Sequence, residues 1–133
     1  MSDAAGLRTL AAAVAYFLIA FAAGFAFAIP RTLLVEPHLG QVGAVLLEAP
    51  VMLGVCWFAA GAVMARVAPG AGAGRALAVG GLWLALLVTA EFGVGLWARG
   101  LSAREALGAF LTPAGLLGLA MQLVCAAFPV LRR

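Results

Sequence analysis

The sequence has no lysine, a single histidine and two cysteines, and only 10% of its 133 residues are charged. A soluble domain carries about 25% charged residues. The polar material here is too sparse to cover a globule, which excludes a soluble enzyme and a disordered tail. Two cysteines are too few for a secreted disulfide scaffold. One histidine, His38, leaves no ligand set for zinc or haem, and reads as an interfacial loop residue near Glu36. Hydroxyls are scarce: Ser2, Ser102, four threonines and Tyr16. There is no Ser/His/Asp set, no His-x-x-x-His, no Asp pair and no glycine loop between strand and helix. The sequence therefore predicts no catalytic residues, no cofactor, no metal site and no enzymatic activity.

What is present is apolar. Hydrophobic residues make up 66% of the chain, and the mean hydropathy is +1.17. Four long runs carry it. Leu10 to Pro30 has no charge. Leu39 to Ala65 has one, Glu48, and Ala76 to Ala98 has one, Glu91. Ala106 to Leu131 has none. A spanning helix needs roughly 20 apolar residues to cross about 30 Å of hydrocarbon, and every run reaches that length. So short a chain cannot close a barrel around such continuous runs. The expected fold is an all-α integral membrane protein: one domain over residues 1–133, a four-transmembrane-helix bundle with short loops. The expected spans are about 10–30, 41–65, 76–98 and 113–131.

The fourth run divides. Ser102-Ala-Arg-Glu105 has the pattern of a capping box. Thr112-Pro113 has that of a second helix start, Thr as N-cap and Pro in the first turn. These predict a short interfacial helix over 103–111 before the fourth span, with one helix kinked at Pro113 as the competing reading. Ala26-Phe27-Ala28 has the form of a signal cleavage site. The apolar run, however, exceeds an h-region of about 7–15 residues, and Asp3 offsets the single arginine before it. The first run therefore reads as a span.

All eight basic residues are arginine. They separate the apolar runs instead of forming a patch, so the pI near 9.7 does not indicate nucleic acid. Let side A be the side of the N-terminus. Arg8, Arg66, Arg75, Arg132 and Arg133 fall on side A, and Arg31, Arg99 and Arg104 on side B. This excess of five over three favours side A, with both termini, in the cytoplasm, with dual topology as the competing reading. The Ala, Gly, Val, Leu and Arg bias without lysine matches GC-rich bacterial codon usage, and the expected location is a bacterial inner membrane.

At 100° per residue each span carries one stripe of small residues, and a polar residue lies on each stripe. The polar residues are Arg31, Glu48, Glu91 and Gln122. Small residues let helices approach, so the stripes face protein. Glu48 and Glu91 fall roughly 10 Å below the side B surface at 1.5 Å per residue, Arg31 closes span 1 on that side, and Gln122 sits deeper. The expected cluster is one arginine shared by two carboxylates. One arginine neutralises only one carboxylate, which predicts a proton-sensitive group facing side B. The reading favoured over a working proton or solute site is a structural lock, in which Arg31 holds Glu48 and Glu91 and fixes helix register. Pro50, two positions beyond Glu48, can kink span 2, as at transporter ion sites and in ordinary membrane helices. Cys56 and Cys125 read as small apolar filler, unlinked by a disulfide, and Met52 and Met121 as core or lipid-facing residues.

The size and the four runs resemble the small multidrug resistance transporters, which carry an essential glutamate in the first helix. Span 1 has no acid here, so no motif of that family carries over. Two functions remain. One is an accessory or assembly subunit of a membrane complex, favoured by the short loops and the lack of a catalytic set. The other is a proton-coupled transporter or channel subunit using Glu48 and Glu91, tuned by Arg31, with Gln122 as a substrate or gating contact. The bilayer is the first partner in either case, with a homo-oligomer or a larger membrane complex as the second.

Overall fold

The computed structural model describes residues 3–133, and the described chain is helical apart from short turns. Helix α1 spans Asp3–Pro30 and leads without a break into a π-helical turn, Arg31–Val35. Helix α2 spans Glu36–Arg66, α3 Ala73–Trp97, α4 Ala103–Ala109 and α5 Pro113–Arg132. Three stretches are long and apolar enough to cross a membrane: Asp3–Arg66, Ala73–Trp97 and Pro113–Arg132.

The first of these stretches folds back on itself. The sequence predicts a loop between residues 30 and 41, yet helical structure continues to Leu39 and the reversal falls on Gly40 alone (φ 74°, ψ 176°). That backbone region is essentially restricted to glycine. Pro30 and Pro37 lack the N–H that would bond the carbonyls four residues earlier. Between them the Glu36 N–H reaches back to the Arg31 carbonyl, the wider spacing of a π turn. Loss of regular bonding over one turn therefore leaves the helix widened, and only Gly40 turns it.

The two starts expected in the fourth run are both present. The Ser102 hydroxyl accepts from the Glu105 N–H at 3.1 Å, and the Glu105 carboxylate accepts from the Ser102 N–H at 3.1 Å. The Thr112 hydroxyl accepts from the Gly115 N–H at 3.1 Å and starts α5 with Pro113 in its first turn. Two separate helices result, not one kinked helix. The Ser102 backbone N–H holds the exposed Glu105 carboxyl below its ordinary range.

The four long helical arms form a ring. α1 packs on α2 and α3, and α5 packs on the other sides of both. α2 and α5 run parallel, as the matched contacts of Trp57 with Phe128 and of Gly61 with Arg132 show. Small residues permit the close approaches. Gly80 faces the Ala126 carbonyl so closely that a Cβ there would collide with it.

The well-packed core fills only the side A half. Tyr16, Trp83, Met64 and Val79 are its largest buried members, with Ala12, Ala13, Ala60 and Ala76 between them. Tyr16 stacks on Trp83 with ring centroids 4.8 Å apart. Near the side A end the Arg132 guanidinium lies 4.7 Å from the Trp57 ring centroid, a cation–π contact worth about 0.5–2 kcal/mol. At that end too, Arg75 donates to the Thr9 hydroxyl at 3.3 Å and ties α3 to α1.

Candidate functional site: a vestibule on side B

The side B half of the ring is open. A cleft of about 740 Å³ runs between the arms from Arg31, Glu36 and Arg99 at its mouth to Trp83, Cys56 and Cys125 at its floor. Leu101, Ala106 and Phe110, from α4 and its flanking turns, line it near the mouth. Arg31, Glu48, Glu91 and Gln122 all line the cleft, so the structure brings the four predicted residues to one space, one from each arm or its extension.

They form two directly bonded pairs, Arg31 with Glu48 and Gln122 with Glu91. Arg31 Nη1 donates to Glu48 Oε2 at 2.7 Å, and the Glu48 side chain is only 12% exposed. Arg31 Nε also lies 3.9 Å from Glu36 Oε1. Glu91 takes a different partner: Gln122 Nε2 donates to its Oε1 at 2.7 Å, tying α3 to α5. Gln122, expected deeper in the membrane, is thus at the level of Glu91. Glu91 lies six positions before the end of α3 at Trp97, about 9 Å at 1.5 Å per residue. Arg31 is committed to α2, where the fold-back at Gly40 lays Glu48 beside it and the π turn keeps Glu36 close.

Among the described residues Glu91 therefore has an amide partner and no cation within ion-pair distance. Two buried polar side-chain atoms have no hydrogen-bond partner: Gln122 Oε1, an acceptor, and, eight positions before Glu91 on α3, Trp83 Nε1, a donor. Both residues line the cleft. The Glu91 carboxylate and the carbonyl of the Gln122 amide bonded to it supply acceptor oxygens of the kind that hold a small cationic group. His38 is exposed at the start of α2 and takes no part. Among the described residues no three of His, Cys, Asp and Glu converge.

The sequence reading passes over one residue of consequence. Tyr16, fully buried, donates its hydroxyl to the Cys125 carbonyl at 2.8 Å. A signal for it exists: the residue four positions after Cys125 is Pro129, which has no N–H to offer that carbonyl. An orphaned carbonyl in an apolar span needs a donor from another helix, and Tyr16 is the one tyrosine. Comparison of this chain with known protein families, with characterised proteins and with solved structures gives no match.

Proposed function

We propose that this chain is a four-span integral membrane protein, without enzymatic activity, whose side B vestibule takes in a proton or a small cationic solute. The observation that carries the reading is Glu91: a carboxylate in the wall of a cleft, bonded to an amide and, among the described residues, paired with no cation. In this reading α1 and α2 each cross the bilayer, and the fold-back at Gly40 lies on side B. The arginine excess on side A puts both termini in the cytoplasm of a bacterial cell and the vestibule on the outer face of its inner membrane. Arg31 and Glu48 shape the mouth, and Glu91 with Gln122 forms the receiving site. The packed side A half closes the inner end, so passage across the membrane requires a second conformation, a second copy or a partner subunit.

Reconstituted vesicles enclosing a pH-sensitive dye test the reading. Glu91→Gln is expected to leave the fold intact and to abolish proton or cation uptake, whereas Arg31→Ala lowers thermal stability. Uptake by the Glu91→Gln variant equal to that of the wild type overturns the proposal.

A second reading, an accessory or assembly subunit, is favoured by the α1 extension. From Asp3 to Leu39 the first arm is about 55 Å long at 1.5 Å per residue, well beyond about 30 Å of hydrocarbon. Its tip carries the exposed Leu33, Leu34 and Leu39, an apolar surface suited to a neighbouring membrane subunit. Native mass spectrometry from the host membrane separates the two: a stoichiometric foreign subunit supports the accessory role, and a homo-oligomer supports transport.

A further inference from the structure

The floor of the vestibule is built of sulfur. Cys56 and Cys125 are 2% and 4% exposed, both are free thiols, and both belong to the buried cluster at the base of the cleft, on the packed helices α2 and α5. One helical turn toward side B, Met52 precedes Cys56 on α2 and Met121 precedes Cys125 on α5. All four residues line the same cleft. Two Met-x-x-x-Cys pairs thus stand side by side on parallel helices, each with its thioether and thiol on one face, since residues four apart share a face. Among the described residues no three of His, Cys, Asp or Glu converge, which argues against zinc with its nitrogen, oxygen and thiolate ligands. Thiolate and thioether together are the ligand class that selects Cu(I).

We propose that Met52, Cys56, Met121 and Cys125 form a Cu(I) site at the base of the vestibule. The ion arrives and stays in the +1 state, so no electron is transferred. One thiol gives up its proton as the Cu–S bond forms, and the proton leaves through the vestibule water. A monovalent ion with one thiolate is neutral, the state an apolar surrounding favours. The second thiol and the two thioethers complete the coordination as neutral donors. The site depends on the vestibule reading for access from side B, and for nothing in its ligand set.

The test uses the full chain in mild detergent, without oxygen, titrated with Cu(I) held by a chromophoric chelator. The expected result is one Cu(I) retained per chain, with one proton released per ion. The Cys56→Ala, Cys125→Ala double variant is expected to lose retention. Met52→Leu with Met121→Leu, which conserves volume, should weaken retention with an unchanged melting temperature. Retention of Cu(I) by the wild type together with failure of the uptake assay strikes the vestibule reading and leaves this site standing. No retention by the wild type, or retention unaffected by both double variants, overturns the copper site.

Discussion

Tyr16→Phe removes a single oxygen from a side chain that is otherwise retained, and its consequence can be worked out from Pro129. The Tyr16 hydroxyl donates at 2.8 Å to the Cys125 carbonyl, and Pro129 cannot supply the N–H that a helix would normally place there. An unsatisfied buried carbonyl costs about 1–3 kcal/mol. Hydrogen bonds between membrane helices average about 0.6 kcal/mol and reach about 1.7 kcal/mol, because the unfolded chain in the bilayer also finds partners. The carbonyl has no helical substitute at the usual position, so the loss should fall in the upper part of that range, about 1–1.7 kcal/mol. Pro129→Ala restores an N–H in α5. In that background Tyr16→Phe should cost about 0.5 kcal/mol or less, the ordinary value for a bond whose acceptor has a second partner. Equilibrium unfolding of the wild type, both single variants and the double variant in mixed detergent and lipid gives the coupling energy directly. An equal cost of Tyr16→Phe in both backgrounds would refute the argument that the tyrosine compensates for the proline.

Gly40→Ala should destabilise the protein by about 1–3 kcal/mol, because φ 74° with ψ 176° strains any residue with a Cβ, and protease nicking at the α1–α2 tip should report it. Gly80→Leu should prevent α3 and α5 from docking, since its Cβ alone would overlap the Ala126 carbonyl; a monodisperse, wild-type-like melting profile would show that the helices separate without loss. The Glu105 carboxyl is held below its ordinary range by Ser102. A depressed folded value means that its contribution to the start of α4 is present above the ordinary carboxylate range and is lost as pH falls through the folded value. Hydrogen exchange over 103–109 should rise on acidification, and Glu105→Gln should flatten that dependence.

Four apolar runs, broken by no charge except Glu48 and Glu91, determine by themselves that this chain is helical and apolar enough for a membrane, because a backbone in hydrocarbon must satisfy its own hydrogen bonds. The caps at Ser102 and Thr112 were equally legible, since capping depends on residues three positions apart. The fold-back was not. Prolines at 30 and 37 and a glycine at 40 read locally as a loop, whereas helical structure runs on to Leu39 and only Gly40 leaves it. Stripe periodicity turned Arg31, Glu48, Glu91 and Gln122 toward one interior space, as the cleft between the arms shows. It could not assign their partners, because 100° per residue gives direction within one helix but neither the register between helices nor which helices are neighbours. Tertiary structure decided that Arg31 pairs with α2, that Gln122 on α5 reaches Glu91 on α3, and that Cys56 on α2 and Cys125 on α5 meet at the floor of one cleft. Those distances arise from four helices packing as a ring, a property of the whole bundle that no single span encodes.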